Sequence, residues 1–159
     1  MEQEIIRPMV RQDVSRVHEI ECACFRSPWS KLALLGELRN EVARYLVMEA
    51  DGVICGYGGM WVLFEEAHVT NVAIMPEYRN QGRGRRLMLA MMRHAALHGA
   101  EKMTLEVRES NAVAQRLYAS LNFEQNGFRP RYYSDTGEGA KLLWNNDIKE
   151  TIDRERQDR

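Results

Sequence analysis

Apolar positions recur along this chain in two rhythms. Val14, Val17, Ile20 and Cys24 stand three or four residues apart, which predicts a helix over 12–24 with Asp13 as its cap. Phe25 to Pro28 breaks it. Ser30 then caps a second helix through Asn40, with Leu34, Leu35 and Leu38 as its apolar stripe. Residues 44–50 and 53–63 read as strands joined by Asp51-Gly52, a hairpin turn signal. Residues 3–8 and 67–75 read as further strands, ended by Pro8 and Pro76. A glycine-rich turn, Asn80 to Gly84, opens a helix through His98, and Gly99 stops it. Met88, Met91, Met92 and Ala95 form the core stripe of that helix. In 101–107, Met103, Leu105 and Val107 alternate with Thr104 and Glu106, a strand pattern. Ser110 or Asn111 caps a helix reaching Leu121, and residues 122–129 and 138–145 read as two closing strands.

Strands with helices between them predict a mixed α/β fold: a mostly antiparallel sheet of about seven strands with about four helices over its two faces. The segment 67–107 runs strand, turn, helix, strand, so its two strands are expected to lie parallel. The length of 159 residues suits one domain over 1–146. In the tail 147–159, nine of thirteen residues are charged, which reads as a solvated helix or a frayed end.

Charge and cysteine content narrow the function. The net charge of −1 lacks the basic excess of a dedicated nucleic-acid binder. Three cysteines, an odd and sparse count, suit a reducing compartment better than a disulfide framework. The N-terminus has no apolar core of a signal peptide, and the longest uncharged run, Val53 to Phe64, is too short to span a bilayer. A cytoplasmic protein without membrane contact is expected. His18, Cys22 and Cys24 make no metal site, because Cys22 and Cys24 are two apart and do not share a helical face. They are expected to be buried or half-buried, and Cys55 to be inert packing in its strand.

The sequence Arg79-Asn80-Gln81-Gly82-Arg83-Gly84-Arg85-Arg86 carries the sharpest chemistry. Glycines allow unusual dihedrals and close backbone approach. The first N–H groups of the following helix have no intrahelical partner, so they form an anion site with the helix dipole. Arg83, Arg85 and Arg86 are expected to add positive charge around a pyrophosphate. No Gly-Lys-Ser/Thr follows, so this is no Walker loop, and the third glycine of a dinucleotide fingerprint is missing.

Arg79-x-x-Gly82-x-Gly84 after Pro76-Glu77-Tyr78 resembles the acetyl-CoA-binding motif of the GNAT N-acetyltransferase superfamily. Thr70-Asn71-Val72-Ala73-Ile74 before it agrees, as do Leu105-Glu106-Val107-Arg108-Glu109-Ser110-Asn111-Ala112 and Leu117-Tyr118-Ala119-Ser120-Leu121-Asn122-Phe123 after it. Phe25-Arg26-Ser27-Pro28-Trp29-Ser30 and Arg131-Tyr132-Tyr133 resemble the RimI-like branch, the N-terminal amine acetyltransferases of ribosomal proteins. Asn122 stands where the family often has glycine, and asparagine tolerates the left-handed region.

The resemblance implies a GNAT fold, acetyl-CoA as cosubstrate without a metal, and direct transfer to a protein N-terminal amine. The nearest expected acceptor is the N-terminal alanine of a small-subunit ribosomal protein. It implies that Glu106 accepts the proton and that Tyr118 protonates the departing thiolate. Asn80, Gln81, Gly82, Arg83, Gly84 and Arg85 would hold the pyrophosphate, largely by backbone amides. Val72, Ala73 and Ile74 would offer backbone N–H groups where their strand splays from its neighbour, and Asn111 would touch CoA. Phe25, Trp29, Tyr132 and Tyr133 are candidate substrate contacts, with core packing an equal reading for each. An α-amine titrates near ~8 and a lysine amine near ~10.4, so the α-amine costs about 3 kcal/mol less to deprotonate. Two rivals stay open: a lysine or small-amine acceptor, and an acyl-CoA-sensing module without turnover.

Overall fold

Asp51 and Gly52 adopt φ of 49° and 83°, the left-handed pair that a two-residue hairpin needs. The turn joins β2 (Ala43–Ala50) to β3 (Val53–Leu63), and β1 (Glu4–Pro8) runs antiparallel along the other side of β2. This computed structural model describes residues 1–158. After β4 (Glu66–Ile74) and β5 (Lys102–Arg108), the chain closes with β6 (Glu124–Arg129) and β7 (Ala140–Asn145). The seven strands hydrogen-bond in the order β1-β2-β3-β4-β5-β7-β6. The ladder between β4 and β5 is parallel, as the strand, turn, helix, strand reading requires. It pairs Glu66, Ala67 and His68 with Lys102, Met103 and Thr104; Val72, Ala73 and Ile74 are not in it.

The described residues also include five α-helices: α1 (Val14–Cys24), α2 (Lys31–Arg39), α3 (Arg83–Leu97), α4 (Ala112–Ser120) and α5 (Ile148–Gln157). Ser30 and Asn111 cap α2 and α4 as expected, accepting the N–H groups of Ala33 and Ala114. Asp13 does not cap α1 through its side chain. Its carboxylate takes two hydrogen bonds from Arg7, at 2.7 and 2.9 Å, and one from the Val10 N–H. A charge-assisted bidentate pair outweighs one backbone cap, and Arg7 holds the Asp13 carboxyl below its ordinary value.

By packing, the chain falls into two compact units. One comprises Met1–Trp61 and Thr70–Met91, the other Val62–Val69 and the residues from Met92 on. The core of the first joins Val14, Val17 and Ile20 of α1, Leu34 of α2, Tyr45 and Val47 of β2, Tyr57 of β3 and Ala73 of β4. The stripe Met88, Met91, Met92 and Ala95 on α3 is fully buried, as its spacing predicts.

The core of the second unit is built on Met103, Leu105 and Val107 of β5, with Leu121, Phe123 and Leu143 also buried. The charged tail is neither wholly solvated nor frayed. It forms α5, whose Ile148, Thr151 and Ile152 are buried on one face. Thr151 Oγ1 accepts from Asn122 and Asn145, at 3.1 and 2.8 Å. Asn122 sits at φ 67°, so asparagine does meet the left-handed demand of the turn before β6.

Candidate active site

In the first unit, β4 ends at Ile74 and runs through a short 3-10 turn, Pro76–Tyr78, into the glycine-rich turn. Asn80 and Gly82 take φ of 64° and 78°. A side chain on Gly82 would also press on the Arg86 guanidinium, 2.7 Å from the Cβ position. The first bond of α3 here runs from Arg86 N–H to Gly82 O, 3.0 Å. The N–H groups of Arg83, Gly84 and Arg85 therefore precede the ladder, and they fit an anion through dipoles rather than net charge.

The arginines are placed differently from the sequence expectation. Arg83 is only 2% exposed. Its guanidinium donates to Gln81 Oε1 at 2.7 Å and Tyr78 O at 3.1 Å, and it pairs with Glu2 and with Glu4. Arg86 donates to Gln81 O at 2.9 Å and pairs with Glu4 at 2.6 and 2.9 Å. Arg86 holds the Glu4 carboxyl below its ordinary value. These two cations brace the turn from beneath and are offset by local carboxylates. The expected charge around the anion is corrected on that ground: Arg83 can contribute its backbone, not its buried side chain.

Val72 is half-buried, and Ala73 and Ile74 are buried. Gly56 of β3 lets this stretch approach, since a Cβ there would lie 2.9 Å from Ala73 O. Before it, Asn71 donates to Glu21 Oε1 at 3.2 Å. Glu21 is 1% exposed, yet it also accepts from the Tyr57 hydroxyl and from the Trp29 N–H at 2.9 Å. Burial is the main cause that raises the Tyr57 hydroxyl pKa. Sequence reading missed Glu21; the signal was a carboxylate directly after Ile20, on the buried side of α1. Of the two aromatic candidates nearby, Trp29 packs against the core and Phe25 is exposed.

The second unit brings the proton-transfer candidates together. Glu106 Oε1 on β5 accepts from Arg129 Nε at 3.0 Å. Interaction with the Glu106 carboxylate is the leading cause that raises the Tyr132 hydroxyl pKa. Tyr132 and Tyr133 meet edge to face, with ring centroids 5.1 Å apart. Arg108 lies 4.0 Å over the Tyr133 ring and is held by Asp135 at 2.8 Å and Glu138 at 3.4 Å. Burial pushes the Tyr133 hydroxyl up to about 12. Tyr118 on α4 is half-buried and packs edge to face on Phe123 at 5.7 Å. Its hydroxyl is also pushed up to about 12, by burial first and by Tyr133 second. Tyr118 thus stays protonated at neutral pH. Asn111 is exposed and spends its Oδ1 on the cap of α4.

Arg129 was not singled out from sequence. It reaches Glu106 because β6 pairs with β7 and β7 with β5, a register that no local pattern reveals. No group of three or more metal-ligating side chains occurs among the described residues.

The chain is similar in sequence and fold to known proteins. A Bacillus subtilis (strain 168) protein is 41% identical over 140 residues, covering 87% of this chain and 93% of its own. The [ribosomal protein bS18]-alanine N-acetyltransferase of Haemophilus ducreyi is 37% identical over 132 residues, 81% of this chain and 88% of its own. The crystal structure of the ribosomal-protein-S18-alanine N-acetyltransferase from Escherichia coli superposes with a TM-score of 0.83 at 28% identity, covering 89% of this chain and 92% of that one. The sequence profile of the Acetyltransferase (GNAT) family matches residues 14–123, which hold the glycine turn, Glu106 and Tyr118. The chain belongs to the acetyltransferase (GNAT) family.

Proposed function

We propose that this enzyme transfers the acetyl group of acetyl-CoA to the N-terminal α-amine of a small-subunit ribosomal protein, with alanine as the acceptor residue. The relatives named for that activity support the acceptor. The observation that carries the chemistry is the cluster of Glu106, Tyr132, Tyr133 and Tyr118 within one compact unit. Residues 1–146 serve as one acetyltransferase domain in this reading, acting in the cytoplasm. No helix among the described residues is long and apolar enough to cross a membrane.

Acetyl-CoA supplies an activated acetyl thioester. The N–H groups of Arg83, Gly84 and Arg85 hold its pyrophosphate, with Asn80, Gln81 and Gly82 shaping the turn. Val72, Ala73 and Ile74 offer backbone N–H groups to the thioester oxygen and the pantetheine arm, and Asn111 adds a CoA contact. Glu106 takes the proton of the acceptor amine, directly or through one water. Tyr118 faces the departing sulfur. At about 12, its hydroxyl is a weaker acid than a thiol near ~8.5, by about 5 kcal/mol. Tyr118 therefore stabilises the developing thiolate chiefly as a hydrogen-bond donor. Phe25 and Tyr132, the two most exposed of the aromatic candidates, are each open to touch the peptide; Trp29 packs against the core of its own unit and Tyr133 against Tyr132.

The test is mass spectrometry of a peptide panel incubated with acetyl-CoA and the enzyme. Free Ala-, Ser-, Met- and Gly- N-termini are set beside blocked peptides that carry only an internal lysine. Acetylation confined to free N-termini, strongest on alanine and lost in Glu106→Gln, is the expected result. Acetylation of the lysine peptides alone would overturn the acceptor and keep the transferase.

A further inference from the structure

His18 and Cys22 stand four residues apart on α1, so they share a face that the pair Cys22 and Cys24 does not. Cys22 is exposed, against the expectation that it is buried or half-buried, and its Sγ lies 3.5 Å from His18 Nε2. The other ring nitrogen, His18 Nδ1, is 2.9 Å from the backbone oxygen of Trp29. A carbonyl can only accept, so Nδ1 carries the hydrogen. The neutral ring then presents the Nε2 lone pair to the thiol. The orienting carbonyl is itself fixed, because the N–H of the same Trp29 is bound to buried Glu21 at 2.9 Å. Nucleophile, base and orienting group are thus in sequence, each within hydrogen-bond reach of the next.

We infer that Cys22 is a thiol-modification site, served by His18 as base, that reacts with small disulfides. The Cys22 proton moves to His18 Nε2. The thiolate attacks one sulfur of the disulfide, a new S–S bond forms at Cys22, and the S–S bond of the reagent breaks. The leaving thiolate takes the proton from His18. The Cys22 sulfur is oxidised and the departing sulfur reduced, so the exchange balances without another reactant. The adduct sits three residues before Phe25 and removes the thiol from His18.

The other two cysteines give internal references. Cys24 is half-buried; its thiol donates to Ile74 O at 3.5 Å and accepts from Arg79 Nη2 at 3.3 Å, and burial outweighs the arginine and pushes its pKa up. Cys55 is buried and raised by the same cause.

The experiment incubates the full chain with glutathione disulfide near neutral pH and follows each cysteine by peptide mass mapping. Cys22 is expected to take one glutathione at least about tenfold faster than Cys24 and faster than Cys22 in urea-unfolded protein. An ordinary thiol near ~8.5 is only a few per cent ionised at neutral pH, so an assisted thiol has about a thirtyfold ceiling to gain. His18→Gln keeps an amide that can donate to Trp29 O but cannot take the proton; it should slow Cys22 about tenfold. Cys22→Ser should abolish the fast addition. The inference is overturned if folded Cys22 reacts no faster than unfolded, or if folded His18→Gln reacts at the wild-type rate. The comparison with unfolded protein decides the matter even where a variant does not fold.

Discussion

The roles proposed for Glu106 and Tyr118 are separable by substitution. Glu106→Gln keeps the shape of the side chain and a group for Tyr132 and Arg129 to meet, but it cannot accept a proton. Steady-state kinetics should show kcat lower by about 10²–10⁴, the usual worth of one general base, with acetyl-CoA binding retained by calorimetry. Loss of acetyl-CoA binding would instead mark Glu106 as structural. Tyr118→Phe removes only a hydrogen-bond donor. We expect kcat to fall about 10–100-fold while the alkaline limb of the pH–rate profile, followed to about pH 10, stays in place. Its hydroxyl at about 12 cannot titrate there, so a shift of that limb would exclude the donor role.

Elements were legible in the sequence where one residue type has one geometric use. Asp51-Gly52, the Ser30 and Asn111 caps, and the alternation in 101–107 each give a local demand that the structure meets. Residues that serve distant partners were not legible. Asp13 looks like a cap but answers to Arg7, and buried Glu21 answers to Tyr57 and Asn71. In α5 the charge count hid Ile148, Thr151 and Ile152, which recur at three- and four-residue spacing. Within the site, the glycine turn, Glu106 and Tyr118 could be picked out by motif, whereas Arg129 depended on strand register. The approach of β3 to β4 gives an element-scale prediction. Gly56→Ala would set a methyl 2.9 Å from Ala73 O and against the Ile74 side chain. Such overpacking costs about 1–3 kcal/mol, so the melting temperature should fall by several degrees. An unchanged melting temperature would show that β4 yields at no cost.

For the whole molecule, the tyrosines set a limit on alkaline stability. Burial raises the hydroxyls of Tyr118 and Tyr133 to about 12, and moves Tyr45 and Tyr57 in the same direction. Below the unfolded value near ~10, both states hold the protons and stability is intact. Above it the unfolded chain releases protons that the folded chain keeps, so unfolding gains and stability is lost as pH rises from about 10 through about 12. Thermal melts across that window should show a falling midpoint, and Tyr118→Phe should make the fall shallower. A flat midpoint to pH about 11 would contradict the raised values.

The ion pairs that bury Arg83 and neutralise Arg86 bear on ionic strength. With those cations matched by Glu2 and Glu4, the proposed pyrophosphate site would draw its anion through peptide dipoles at close range. Raising salt from about 0.1 M to about 1 M shortens the screening length from about 10 Å to about 3 Å, which weakens exposed charges most. The acetyl-CoA KM should therefore change less than about threefold over that range, where a bare arginine cluster would lose about tenfold or more. An enzyme built this way keeps its grip on a polyanionic donor as the salt around it varies.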